Sequence, residues 1–429
     1  MIFLLYASTL AQGFHFDDYH MVTENQFIKS WGSLSRMAIT PFISSASTVK
    51  GMYRPVLMAT FCWNYQTGAL NPFGFHLVNV WLHLIVVCLV VGLSRRLWPS
   101  LRPLWILLAA SVWAVHPIHT EAVAYISSRS SILAALFVVL AHWLYAAARQ
   151  SPGRRRWGLF IGSLLAYGLA LGSKEIAVTL PGLLFLVEWK LTQCQAPWCQ
   201  APRCLAPFRR LAPFFLLTAL YLVWRKLLIG AVGVVYPVRP WRENTLMQLE
   251  GISSYLKLWL WPVNQTVVHP QPAGHGAGPW LGLGMLVGLG ILAWGVRRRW
   301  PGLTFALGWA GVTFLPPAFA SSLNLVVAEH HLYLPSVGFA LGLPQMLEAL
   351  SSPRRACPRP DRGRGSSLTL IALALTLVLS VATFRRNLVW ADDFTLWVDA
   401  ARKNPMSCMV HNNLGLEYEK RGELEDALR

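Results

Sequence analysis

The sequence is poor in charge, and poorest in negative charge. Of 429 residues only 19 are Asp or Glu, against 37 Lys or Arg, and charged residues make up 13% of the chain. Soluble domains carry about 25%. With 55% hydrophobic residues, the chain cannot cover an ordinary water-facing surface, which excludes a soluble globular enzyme. Cysteine is also scarce. Seven are scattered along the chain with no C-x2-C pair, which removes the zinc-ribbon and disulfide-framework classes. Cys194, Cys199 and Cys204 recur at five-residue spacing in "QCQAPWCQAPRC" with no nearby His. They read as an imperfect duplication of a Pro-rich loop, not as a metal or disulfide site. No basic residue precedes the apolar run at 1–11, as a secretory signal would require. That run reads as the tail of a first membrane span that begins outside this chain.

What the sequence does have is long apolar stretches. They lie near 1–13, 75–93, 104–118, 130–148, 157–173, 176–189, 211–229, 279–296, 302–319, 332–349 and 367–384. A spanning helix needs about 20 mainly apolar residues, so the expectation is an all-α, multi-pass membrane protein of about 11 spans. The Trp residues of "SYLKLWLWP" at 254–262 suit a headgroup layer and predict a further, interfacial helix.

The net charge of +18 would suggest nucleic acid in a soluble protein. Its distribution argues otherwise. The loops at 94–103, 149–156, 190–210, 297–299 and 353–364 hold 19 basic residues and one acid, Asp361. The short alternate loops at 116–131, 173–175 and 319–331 hold two basic residues, Arg129 and Lys174. Positive charge collects on the cytoplasmic side. The same alternation puts 14–71, 116–131, 173–175, 230–278, 319–331 and everything after 385 outside, in a periplasm or an endoplasmic reticulum lumen. No nucleic-acid partner is needed.

The chemistry-bearing side chains concentrate in those outer loops. "FHFDDYH" carries Asp17 and Asp18, "YRP" carries Tyr53 and Arg54, and "HPIHTEAVAYISSR" carries His116, His119, Glu121 and Arg129. "GSKE" carries Lys174 and Glu175, and "VVAEHHLYLPS" carries Glu329, His330, His331 and Tyr333. Ionisable groups near a bilayer are expensive and mark function by default. Taken singly, each has a structural reading. His116 and His119 suit a Pro117 turn better than a metal site, Arg129 could snorkel to the interface, and Lys174 could neutralise Glu175. Arg54 could cap a helix, and Asp17 with Asp18 could form a turn. Taken together they share one side, as a pooled site requires. Arg and Lys there can hold a lipid-linked phosphate and offset charge on the leaving group. A carboxylate can take the proton of an acceptor hydroxyl. That combination suits glycosyl transfer from a lipid phosphate sugar. One acidic pair is thin for a divalent cation, so the metal question stays open.

The last 45 residues change character. "NNLGLEYEKRGELEDALR" places Leu414, Gly415, Tyr418, Gly422 and Ala427 as in the first half of a tetratricopeptide unit. Such helix pairs bury little alone and normally stack in threes or more, so the repeat array is expected to continue beyond this chain.

The stretches "FDD", "YRPV", "NPFGFHLVNVWLHL", "AVHPIHTEAVAYISSRSSILAALF", "SKE", "AEHHLYLPSVGFAL" and "VHNNLGLEYEKRGELEDAL" run in order along nearly the whole chain. In them the chain resembles the transmembrane O-mannosyltransferases targeting cadherins and their bacterial relatives. The resemblance implies a GT-C glycosyltransferase fold at 1–385 followed by tetratricopeptide repeats from 386. It implies a polyprenyl or dolichyl phosphate sugar as donor, with mannose or a similar hexose, and a Ser or Thr of a polypeptide as acceptor, recruited by the repeats. It casts Asp17 and Asp18 as catalytic, and Arg129, Lys174, His330 and Arg54 as donor-phosphate ligands. His116, His119, Glu121, Glu175, Glu329 and Tyr333 are further site candidates. Three positions depart from the family pattern: Ser128 stands for Gly, Ser130-Ser131 replaces an acidic position, and His330 replaces Arg. These departures favour an alternative, a catalytically inactive tetratricopeptide scaffold in the membrane. A lipid or sugar transporter is a third reading, but that class wants ionisable groups at the midplane and usually an internal repeat, and this sequence shows neither. The membrane is read as a bacterial inner membrane with a periplasmic site, or as an endoplasmic reticulum membrane with a lumenal one.

Overall fold

The computed structural model describes residues 1–39, 52–193, 206–230, 239–319, 325–351 and 362–428. Cys194, Cys199, Cys204 and Asp361 lie outside the described residues, so the cysteine spacing is not placed.

The chain opens with a short helix α1 (Ile2–Leu5), a 3-10 turn (Ala7–Ala11), the loop that bears Asp17 and Asp18, and α2 (Leu34–Ile39). The helices α3 (Pro55–Gly68), α4 (Pro72–Leu97) and α5 (Pro103–Ala114) follow. Each starts on proline, whose fixed φ suits a first helical position and whose missing N–H costs nothing there. The Asn71 side chain also accepts from Phe73 N at the head of α4, and Arg95 and Arg96 sit in its last turn, where cations meet the helix dipole favourably. A 3-10 turn (Pro117–His119) leads from α5 to α6 (Thr120–Ala124) and the long α7 (Arg129–Gln150). Then come α8 (Gly153–Leu171), α9 (Leu180–Gln193), α10 (Ala206–Ile229), α11 (Trp241–Leu260), α12 (Gly278–Val296), α13 (Pro301–Phe319), α14 (Tyr333–Ser351) and α15 (Arg362–Val389). The tail is α16 (Asp393–Lys403), α17 (Cys408–Arg421) and α18 (Leu424–Leu428). No strand occurs among the described residues. The protein is an all-α integral membrane protein.

Among the described residues five helices are long and apolar enough to cross a membrane, and a sixth span forms if the bent pair Pro103–Ala114 and Pro117–Ala124 counts as one. Three of the eleven apolar stretches are not single straight helices. The stretch near 1–13 is a four-residue helix and a 3-10 turn. That near 104–118 bends by 55° at His116 and Pro117. That near 176–189 splits into a 3-10 turn (Glu175–Thr179) and a 14-residue helix. The region read as an interfacial helix is the end of α11, a 20-residue helix.

The core is centred on α7, whose Ile132, Ala135, Val138, Val139, Ala141 and Tyr145 are buried. Three buried indoles are tied down by their one donor: Trp98 Nε1 donates to Leu341 O at 2.8 Å, Trp113 to Ser336 Oγ at 2.9 Å and Trp309 to Leu334 O at 2.9 Å. The two sets of loops keep their polar contacts apart. At one end Glu188, only 2% exposed, binds Arg149 at 2.6 Å and Arg210 at 3.2 Å. Arg102 pairs with Glu348 there, and Lys190 lies over the Trp98 ring at 4.0 Å. The other end holds the acidic loop, Arg54, Lys174 and the tail.

Arg129 breaks the expected assignment. It sits at the head of α7 with no exposure. Its Nε donates to Asn79 Oδ1 at 2.6 Å, Nη1 to Asn64 Oδ1 at 2.7 Å and Thr60 Oγ1 at 3.2 Å, and Nη2 to the Phe75 carbonyl at 2.9 Å. The guanidinium also lies 4.7 Å from the Phe61 ring centre. A fork already committed to four acceptors on α3 and α4 does not reach out to a lipid phosphate. It cross-links three helices. Replacing it with Lys keeps the charge but loses the fork. Arg129→Lys is expected to destabilise the fold by about 2–4 kcal/mol, the range for stripping partners from buried polar groups, read as a lower midpoint in thermal unfolding in detergent. Wild-type stability with weakened donor binding would return Arg129 to the phosphate site.

Candidate active site

The acidic pair divides into two unlike carboxylates. Asp18 is fully buried. Its Oδ2 accepts from His15 N at 3.1 Å, and its Oδ1 accepts from both the N–H (2.7 Å) and the hydroxyl of Ser127. It clamps the first loop to the turn before α7. Burial pushes its pKa up to about 6, with the Ser127 hydroxyl and His15 pulling the other way. Asp17 is exposed to a cavity of about 300 Å³. Its backbone N–H donates to the Tyr125 hydroxyl at 3.0 Å. Crowding by its surroundings raises the Asp17 carboxyl above the usual range, against Tyr125, His20 and Arg54. Phe16, just before it, has φ +46°, a conformation that costs a non-Gly residue about 1 kcal/mol or more. Its ring is pinned edge-on against Trp397 at 5.5 Å.

The tail completes this loop. Asp393, at the head of α16, accepts from Tyr19 at 3.0 Å and pairs with His15 Nδ1 at 2.7 Å. Trp390 stacks on Tyr125 at 5.6 Å. Lys403 Nζ donates to the Gln265 carbonyl at 2.7 Å, and Asn404 Nδ2 to Val268 O at 3.1 Å. The residues after 385 therefore pack on the end that carries Asp17.

A basic cluster lies beside it. Glu175 bridges Arg54 and Arg225, each at 3.0 Å. Burial works against its charge, but Arg54 and Arg225 outweigh that and hold its pKa down to about 2. Lys174 Nζ donates to Ser131 Oγ at 2.8 Å, and Arg54 Nη1 reaches Ser130 Oγ at 3.5 Å. Packing, and then Arg54, lower the Lys174 ammonium to about 7 against Glu175 and Glu121. Three cations face one carboxylate, which leaves the cluster net positive.

His330 differs from its expected role. Its Nδ1 and its backbone N–H both meet Glu121, at 2.6 and 3.0 Å. Burial, then Lys174 and Arg54, push its pKa well below the ordinary histidine value. A neutral ring bonded to Glu121 is not a phosphate-binding cation. One of the ions that act on His330, Arg54, also acts on Asp17. Asp17, Arg54, Lys174, Glu121 and His330 thus share one electrostatic neighbourhood, whereas Arg129 turns into the core.

The remaining expected residues make contacts within the protein. His116 caps the turn at Ile118 N and meets the Trp259 carbonyl at 3.0 Å. His119 is buried between the rings of Trp113 (4.7 Å) and Tyr333 (5.0 Å). Tyr333 spends its hydroxyl on His83 at 2.6 Å, away from the acidic loop. Glu329 accepts from Gln265 and His269 at 3.0 and 3.2 Å, with Arg386 at 3.6 Å. No group of three or more His, Cys, Asp or Glu among the described residues is arranged to hold a metal ion. Sequence reasoning missed Arg225, His15, Tyr125, Asp393 and Arg386. Arg225 stands beside Lys226 in the apolar stretch "YLVWRKLLIG", where such cations read as snorkelling anchors. Its pairing with Glu175 across 50 residues is not visible in the sequence.

The division of labour is testable without any substrate. Asp18→Asn places an amide N–H₂ against donors and is expected to cost about 1–3 kcal/mol of stability. Asp17→Asn should be near neutral in the same thermal unfolding experiment. Equal melting of both variants would remove the structural role assigned to Asp18.

No family model matches the chain. Among curated proteins, the protein O-mannosyl-transferase Tmtc1 of Drosophila melanogaster is 28% identical over 100% of this chain and 59% of its own length. The protein O-mannosyl-transferase TMTC4 of Homo sapiens is 26% identical over 97% of this chain and 62% of its length. Human TMTC2 is 36% identical, over 41% of this chain and 21% of its own. The chain therefore spans less than two thirds of the length of these relatives. Among solved structures, ArnT from Cupriavidus metallidurans in the apo state is 17% identical, with a TM-score of 0.43 over 99% of this chain and 71% of that one. Over nearly its whole length, then, the chain is similar to proteins named as protein O-mannosyl-transferases.

Proposed function

We propose that the chain is the membrane part of a glycosyltransferase that moves a hexose, of the mannose type, from a polyprenyl or dolichyl phosphate to a Ser or Thr hydroxyl of a polypeptide on the outer face of the membrane. The observation that carries the reading is the placement of a cavity-facing carboxylate, Asp17, beside a net-positive cluster of Arg54, Lys174 and Arg225 at one end of the helical bundle. The relatives' names supply the chemistry to compare with it: they are named as protein O-mannosyl-transferases.

In this reading Arg54 and Lys174 hold the lipid phosphate, with Arg225 positioned through Glu175. Charge builds on the leaving phosphate as the sugar C1–O bond breaks, and fixed cations stabilise it without reorganising. Asp17 takes the acceptor proton as the hydroxyl oxygen attacks C1. Asp18 acts through the backbone by fixing the loop. The tetratricopeptide-like pair α17 and α18 belongs to the acceptor-recruiting repeats. Gly415 fits that role, because a Cβ there would lie 3.3 Å from the Ala427 carbonyl, so glycine lets the two helices close. Gly422, at φ +78°, makes the turn between them.

The base and the cation predict opposite limbs of a pH profile. Asp17 must be ionised, so turnover falls as pH drops through its raised pKa. Lys174 must be protonated, and its lowered value of about 7 makes turnover fall as pH rises above neutrality. Lys174→Arg keeps a charge at every accessible pH and should extend activity to higher pH while leaving the acid limb in place. An unchanged alkaline limb would remove Lys174 from the phosphate site.

Asp17→Asn keeps the shape and removes the base. Transfer from a polyprenyl phosphate mannose to a Thr-containing peptide should fall about 10²–10⁴-fold with membrane insertion and melting intact. Near-normal turnover in that variant would refute the assignment.

A further inference from the structure

The cavity at Asp17 is not enclosed by the acidic loop alone. One wall is Phe16, Asp17 and Tyr19. The opposite wall comes from the tail: Asp393 and Trp397 of α16, and Asn413, Leu416, Glu417 and Lys420 of α17. Residues nearly 400 positions apart thus face each other across about 300 Å³. We propose that this cavity is the acceptor subsite: an extended polypeptide segment presents its hydroxyl to Asp17 and lays a neighbouring apolar side chain among Phe16, Tyr19 and Leu416. The inference rests on the transferase reading above, and adds where the acceptor sits and what must flank its hydroxyl.

Size is the first argument. Ligand cavities run from about 300 to 1,000 Å³. This one lies at the low end, so it takes a short piece of extended chain and not a folded surface. Lining is the second. Leu416 is 47% exposed and lines the cavity, where burying its apolar surface against an apolar guest is favourable. Asn413 spends one amide hydrogen on the Met409 carbonyl at 2.7 Å and lines the cavity with a group that can both donate to and accept from a peptide backbone.

Charge is the third argument. Asp393 is taken up by His15 and Tyr19, Glu417 by Lys420 and His20 by Glu24. Asp17 is the lining carboxylate with no ion pair among the described residues. With three acids against Lys420 on the walls, an acidic residue beside the acceptor hydroxyl is repelled. The clasp of Asp393 on His15 and Tyr19 fixes the separation of the two walls, so binding to the tail and presentation to Asp17 become one event.

The test uses the full chain in lipid nanodiscs, polyprenyl phosphate mannose as donor, and a set of Thr-containing decapeptides. The residue next to Thr is varied among Ala, Leu, Phe and Glu. Binding is read by fluorescence anisotropy and transfer by kcat/KM. Leu and Phe peptides should bind about tenfold more tightly than the Glu peptide. Leu416→Glu should abolish that preference and raise KM for the Leu and Phe peptides. Asn413→Trp, which fills the cavity, should weaken all four peptides and serves if Leu416→Glu fails to fold, with melting temperature as the folding control. Transfer without flank preference, unaffected by either variant, overturns the acceptor subsite and leaves the transferase standing. Selective binding with no transfer to any peptide overturns the transferase and leaves the groove. Absence of both binding and transfer overturns both.

Discussion

A charge at membrane level must find a partner or a purpose, and that constraint organises the polar end of this protein. Removing an ion from water costs several kcal/mol unless a counter-ion and hydrogen bonds replace the solvent. Glu175 shows the rule most plainly: it lies between Arg54 and Arg225 and stays ionised. Glu121 is matched to His330, Glu329 to Gln265 and His269, and Asp393 to His15 and Tyr19. Asp18 is matched to three donors. Asp17 stays open to the cavity after those pairings, and Arg54, Lys174 and Arg225 leave an excess of positive charge around Glu175.

That remainder is what a phosphate-to-hydroxyl glycosyl transfer requires: a base on one side and an uncompensated cation on the other. The same bookkeeping explains why the tail matters to the site. Without Asp393 and Trp390, His15 would lose its carboxylate partner and Tyr125 its stacking partner, and the loop with its strained Phe16 would lose its contacts to the tail. The helices after 385 form one wall of the cavity at Asp17.

Much of this was legible in the sequence, and the misses are instructive. The all-α membrane class followed from apolar stretches, and the pooling of polar loops followed from charge alternation. Both depend on composition, which a chain displays openly. Hydropathy could not show the kink at His116–Pro117 or the helix start delayed to Leu180. Residue type flagged Arg129 and His330 as cations for a phosphate. It could not show that Arg129 is saturated by Asn64, Asn79, Thr60 and Phe75, nor that His330 is kept neutral beside two stronger cations. Adjacent aspartates look equivalent in a string of letters; the turn at Phe16 sends one inward and one outward. Arg225, His15 and Asp393 were invisible for a simpler reason, since each acts through a partner 50 or more residues away.

The most direct measurement is a density map of the full chain in nanodiscs with a polyprenyl phosphate bound. The account predicts the phosphate within hydrogen-bond reach of Arg54 and Lys174, on the same side of the bundle as the Asp17 carboxylate and open to the cavity beneath α17. A phosphate seated instead at the Arg149–Glu188–Arg210 end, or against Arg129 with its four protein acceptors released, would contradict it.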